Sequence, residues 1–181
     1  EWALNKQADI IAILTYFQHL TQEQLRRFEQ LIERAIHQNA WLLAPVGARQ
    51  SGRPQTFYPS GLNGILSIGA HDQYGQATPF SARSNELDLL APGVDLAVSS
   101  VDGQISTNIK STAIATAFTA GLLALVRQEH AMPGEEVYQL LRETAVSKQV
   151  GGAKGQNVSY GYGLLNPIAL LERLQEGGDW K

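Results

Sequence analysis

The sequence has no cysteine in its 181 residues, which excludes disulfide bonds, thiolate nucleophiles and cysteine-ligated zinc while leaving the compartment open. It also lacks a run of apolar residues long enough to cross a membrane, and its first residues do not place a basic segment ahead of an apolar one. A soluble chain with no targeting segment and no membrane partner is expected, its localisation unassigned. Charge is sparse at 17%, and the net value of −3 comes from interspersed signs, so no basic stripe is available for nucleic acid. Metal-ligand spacing is missing as well. Asp72, Asp88, Asp95 and Asp102 fall on separate segments without a D-x-D-x-D-G ladder, and no histidine pair stands at ligand spacing. No metal ligand set and no cofactor are expected.

What is present is enough for a core. With 44% hydrophobic residues the chain can bury one, and a single unit over residues 1–181 is the default for this length. Residues 8 to 14 and 41 to 46 are apolar runs of strand length, as is 65 to 68. Between the first two, Thr21-Gln22-Glu23-Gln24 has the capping-box pattern, and Leu25, Phe28, Ile32, Ala35 and Ile36 recur at helical spacing, which predicts a helix over about 22–38. Short strands are expected at 88–90 and 95–98, on either side of a Pro92-Gly93 turn. Residues 113–130 carry alanine, leucine and valine on every side and predict a central helix with no solvent face. Amphipathic helices follow at about 134–145 and 166–175, separated by the glycine-rich loop 151–155. Alternating strands and helices imply an α/β fold with a parallel sheet between helical layers.

The segment Ser111-Thr112-Ala113-Ile114-Ala115-Thr116-Ala117-Phe118-Thr119-Ala120-Gly121 resembles G-T-S-M-A-x-P-x-x-A-G, the nucleophile motif of the subtilisin-like serine proteases. Further pieces agree in order along the chain. Tyr58-Pro59 resembles the family's Y-P loop, Ile65 to Asp72 its apolar strand ending in V-G-A-x-D, and Phe80-Ser81 its F-S pair. Asp88 to Gly93 resembles the D-x-x-A-P-G turn, 133–145 the surface helix ending in T-A, and Tyr160 to Asn166 the closing glycine-containing segment. The resemblance implies a three-layer subtilisin-like fold. It also implies that residues 8–14 are the mid-domain strand, so that the chain represents the C-terminal half of the domain. The family's catalytic aspartate and histidine belong to the other half, and neither D-x-G nor H-G-T-x-V-A occurs here. That half, on the same polypeptide or on a partner chain, is the expected partner. Strands near 8–14 and 41–46 are expected to pair with it, and the Tyr58–Pro59 bond is expected to be cis. Structural calcium, which family members often hold through backbone carbonyls, is compatible with this reading.

At the active-site positions the sequence departs from the family. Ala113 stands at the nucleophile position, and a methyl group has neither a lone pair to attack a carbonyl nor a proton to pass to a base. Ala48 stands where the family's asparagine donates to the oxyanion, a donor whose removal typically costs about 2.7–4 kcal/mol of transition-state stabilisation. At the substrate strand Leu14, Thr15 and Tyr16 replace S-L-G, so an aromatic ring lies where the family leaves room for a substrate side chain. The resemblance implies that an extended peptide lies as an added strand between two edge segments, residues 14 to 17 and 44 to 47, with Pro45, Val46 and Gly47 joining Leu14, Thr15 and Tyr16 as the expected substrate-binding residues. His71, at a strand end, and His130, at a helix end, read as structural or surface residues. The expected function is that of an inactive subtilisin-like domain with a peptide-binding, regulatory or scaffolding role. One alternative is a live peptidase inactivated by replacement at positions 113 and 48. The other is a purely structural domain.

Overall fold

The structure, a computed structural model, describes residues 1–49, 54–148 and 155–176. After a one-turn helix α1 (Trp2–Asn5), strand β1 (Ile10–Ala12) leads through a connecting segment to helix α2 (Gln22–His37). The capping box forms at its start: Gln24 N–H donates to the Thr21 hydroxyl at 3.2 Å, and Thr21 N–H donates to the Gln24 side-chain oxygen at 2.9 Å. Strands β2 (Trp41–Pro45), β3 (Ile65–His71) and β4 (Leu89–Pro92) follow, then a separate antiparallel hairpin, β5 (Val94–Ser99) and β6 (Ile105–Lys110). Helix α3 (Thr112–Glu129), helix α4 (Gly134–Thr144), the short strand β7 (Gly163–Leu164) and helix α5 (Pro167–Glu176) complete the chain. The main sheet is parallel throughout, in the order β1-β2-β3-β4-β7.

Strand alternation sorts the core into layers. From β2, Trp41 and Leu43 join Leu66, Ile68, Leu89 and Ala91 against α3, α4 and α5, while Leu42 and Ala44 turn to the opposite face beneath Ile32 and Ala35 of α2. Farther along that second face, Val46, Phe57, Ala82, Leu87 and Leu90 form a cluster under loops rather than under a helix. This is a sheet between two helical layers, an α/β fold as the sequence implied. Helix α3 runs antiparallel to the strands. Its first residue follows Ser111, whose N–H donates to Gly93 O at the end of β4, and its last turn sends Arg127 to Asp9 and to Asn39 O, just ahead of β1 and β2. Buried Asp88 fastens α4 to the sheet: it accepts from Ser67 N–H at 2.8 Å and from Arg142 at 3.0 Å.

Two expectations need correction. Helix α3 is not covered on every side, because the sheet, α4 and α5 occupy only part of its circumference. Ala117, Phe118, Gly121, Ala124 and Leu125 form an exposed stripe at helical spacing, with Phe118 at 43% and Leu125 at 61% exposure. The strand near 41–46 has no free edge, since β2 is paired with β1 on one side and β3 on the other; of these two expected edges, β1 is the one at the sheet's rim among the described residues. The hairpin was only half anticipated. The expected strand at 95–98 is β5, but β6 escapes the pattern because its residues are mostly polar and solvated on both sides. The loop expected at 151–155 lies, apart from Gly155, outside the described residues.

Candidate functional site

Parallel strands deliver their following loops to one edge of the sheet, and the residues expected to line the cleft sit at that carboxyl-terminal edge. Leu14, Thr15 and Tyr16 continue from β1, while Pro45, Val46, Gly47 and Ala48 close β2 and enter the next loop. Ala113 is the second residue of α3, which starts from the end of β4.

The head of α3 is firmly built. Ser111 takes an extended conformation and its hydroxyl accepts from Ala113 N–H at 3.0 Å, so the residue at the family's glycine position serves as an N-cap. Gly93, against which this cap rests, has no room for a side chain: a Cβ there would stand 2.6 Å from Ala70 Cβ and 2.8 Å from Ser111 O. The fold thus holds position 113 in place, half-buried, but offers only a methyl group.

After β1, the backbone of residues 14–16 is open. Ile13 N–H still donates to Leu43 O, and Phe17 exchanges two hydrogen bonds with Tyr58 at 2.7 and 2.8 Å. Between these anchors, the backbone groups of Leu14, Thr15 and Tyr16 have no partner among the described residues, and their side chains are exposed. Three consecutive residues with unpaired N–H and C=O groups are a template for an added strand. Across from them, Gly47 adopts φ +99°, and the amides of Gly47 and Ala48 likewise have no acceptor among the described residues.

One aromatic ring touches both segments. Phe57, 1% exposed, packs so tightly under Gly47 that a Cβ at Gly47 would stand 2.6 Å from its ring. Tyr16 meets the same ring edge-on, with centroids 5.3 Å apart and planes at 79°. The tyrosine thus packs against Phe57, a residue that the sequence reading passed over. Its signal was its place directly before Tyr58-Pro59, a pair whose peptide bond is cis.

The remaining candidates stand apart from this chemistry. His71 ends β3 with its Nδ1 2.7 Å from Asp72 O, and His130 caps the far end of α3. Asp72 braces its own turn through Tyr74 and Gln76 N–H groups, and Asp102 caps the β5–β6 turn through Gln104 N–H. Burial pushes the Asp88 carboxyl above the ordinary carboxylate range, against the opposing pull of Ser67 N–H and Arg142. No three histidine, aspartate or glutamate side chains converge on a metal-sized site among the described residues, and none of their helices is long and apolar enough to cross a membrane.

Comparison with known proteins gives the same scaffold. The family model described as the subtilase family, Peptidase_S8, matches residues 2–163. A thermostable alkaline protease of Halalkalibacterium halodurans is 30% identical over 146 residues, covering 80% of this chain but 38% of that protein. Among solved structures, the prenylagaramide maturation protease PagA superposes with a TM-score of 0.79 at 24% identity, over 96% of this chain and 64% of that one. A serine-to-alanine mutant of the protease domain of PatA gives 0.77 at 26% identity, over 99% and 64%.

Proposed function

The chain belongs to the subtilase family, and from that premise we propose that it is a catalytically inactive member whose cleft binds an extended peptide without cleaving it, in a regulatory or scaffolding role. The observation that carries this reading is Ala113 at the capped head of α3, where the family pattern has the serine. Covalent acyl transfer needs a nucleophile there, and a methyl group is none. Ala48 removes the side-chain donor to the oxyanion as well, and Tyr16, packed on Phe57, stands where the family leaves room for a substrate side chain. Peptide binding is supported by the open backbone of Leu14–Tyr16, which offers main-chain hydrogen bonds to an extended partner.

The partner that completes the fold is, in this proposal, the N-terminal half of the same domain, carried on the same polypeptide or on another chain. Support comes from the free edge of β1 and the exposed stripe Ala117, Phe118, Gly121 and Leu125 of α3. The chain spans 38% of the alkaline protease it matches and 64% of the PagA structure.

The test uses the intact protein and a library of fluorescently labelled extended peptides, scored by anisotropy for binding and by mass spectrometry for cleavage. Saturable binding without cleavage is expected, weakened when Thr15→Pro removes one backbone donor from the open segment. Turnover of any peptide by the unmodified protein would overturn the proposal.

A further inference from the structure

Next to Ala48 lies a cavity of about 230 Å³ that the peptide cleft does not account for. Its floor is a short antiparallel ribbon. Ala48 pairs with Ser81, Arg49 N–H donates to Phe80 O at 2.8 Å, and Ala82 N–H donates to Gly47 O at 3.1 Å. Arg49 and Arg83 line the cavity from the ribbon, Thr78 and Ser81 line its base, and Ser159 and Tyr160 close it from the loop before β7.

The chemistry of this lining has one sign. Two arginines line the cavity and, among the described residues, no carboxylate does, in a chain whose net charge is −3. The Arg83 side chain is exposed and has no ion-pair or hydrogen-bond partner among the described residues, while its carbonyl accepts from Gln55 N–H at 2.7 Å. The neighbouring glutamate, Glu86, is engaged by Thr56, Ser84 and its own turn rather than by either arginine. Ser81, 5% exposed, accepts from Ala70 N–H through its hydroxyl oxygen and donates its own proton to no described residue. Tyr160 is held in place by donation to the Gln76 side chain at 3.1 Å. A forked cation and a free hydroxyl proton around one small cavity are the donor set that a planar carboxylate accepts from.

We infer that this cavity is a carboxylate-binding subsite, which takes an aspartate or glutamate side chain, or a free C-terminal carboxylate, from a peptide running past Ala48. Its role as part of a peptide site rests on the proposed function; carboxylate binding in the cavity does not. Arg83 supplies the charge and bidentate geometry, and Ser81 a hydrogen bond from the floor.

The experiment uses the intact protein and three small probes, N-acetylglutamate N-methylamide, N-acetylalanine and, as the neutral control, N-acetylglutamine N-methylamide, followed by the arginine Nε–Hε resonances in NMR. Saturable shifts at Arg83 are expected with one or both carboxylates and absent with the neutral amide. Which of the two charged probes binds more tightly distinguishes a side-chain from a C-terminal carboxylate. Arg83→Gln, at an exposed position that the fold does not need, is expected to weaken the carboxylate about tenfold or more, and Ser81→Ala to weaken it less. Equal shifts with the neutral probe, or none with either carboxylate, would overturn the inference even if extended peptides bind. Carboxylate binding here together with a failure of every extended peptide to bind would uphold the subsite and sink the peptide reading instead.

Discussion

The backbone frame of the cleft and the side chains that would perform chemistry in it have kept very different amounts of the family pattern. On the frame side, Gly47 takes a positive φ beneath a packed ring, Gly93 makes the close approach that seats α3, and the Tyr58–Pro59 bond is cis. On the chemical side, positions 113 and 48 carry methyl groups, and the Phe57 ring packs between Gly47 and Tyr16. The contrast teaches that shape and reactivity draw on separate residues. Shape is enforced by close packing, where a misplaced methyl group is felt at once. Reactive groups add little to folding stability, so they can be lost while the cleft keeps its form.

Changes to the frame should cost most. Gly47→Ala combines a disfavoured backbone angle with a Cβ 2.6 Å from the Phe57 ring, and a loss of about 2–6 kcal/mol is expected in chemical denaturation. Unchanged stability would mean that Phe57 moves freely. Leu123→Ala, at a fully buried position of α3, should cost about 2–5 kcal/mol. A much smaller loss would show that α3 is held less by the sheet than its burial implies.

A milder test lies at the seam between frame and chemistry. Ser111→Ala removes the cap from the head of α3 and should cost about 1 kcal/mol, with calorimetry as the readout. No effect would mean that the Gly93 contact alone holds position 113. The smallest effect concerns Asp88, far from the cleft. Burial raises its carboxyl above the ordinary value despite Arg142, so the folded state holds this proton more tightly than the unfolded chain. Its stabilising contribution is therefore full below the unfolded pKa of about 3.9 and is lost as pH rises through the folded value. The stability difference between the wild type and Asp88→Asn, followed by urea melts, should fall with rising pH across the carboxylate range. A rise instead would show that the ion pair with Arg142 outweighs burial.

Much of this was legible in the sequence, for physical reasons that differ by element. The capping box at Thr21 and the apolar stripe of α2 depend on local spacing, and the helix formed where that spacing placed it. Strands β2 and β3, inside the main sheet, are buried on both faces and read as apolar runs. Helix α3 was placed correctly but misjudged in burial, because an apolar residue looks the same in sequence whether or not a neighbour covers it. The open stripe from Ala117 to Leu125 depends on what else packs there. Strand β6 has no apolar alternation to announce it. Phe57 was missed because its importance lies in a tertiary contact with Gly47 and Tyr16, residues distant in the chain. The arginine-bordered cavity unites residues from three loops and has no motif at all.

The central claim is that the frame survives without the chemistry, and labelling by a fluorophosphonate tests it most directly. The intact protein is compared with Ala113→Ser, which lies at the second residue of α3 and should shift stability by no more than about 0.5 kcal/mol. Neither protein should label, because a restored hydroxyl still lacks the side-chain donor at position 48, and Tyr16, packed on Phe57, still stands where the family has a glycine. Robust labelling of Ala113→Ser would contradict the account, for it would show that the remaining machinery is intact and that one methyl group is all that separates this chain from a working protease.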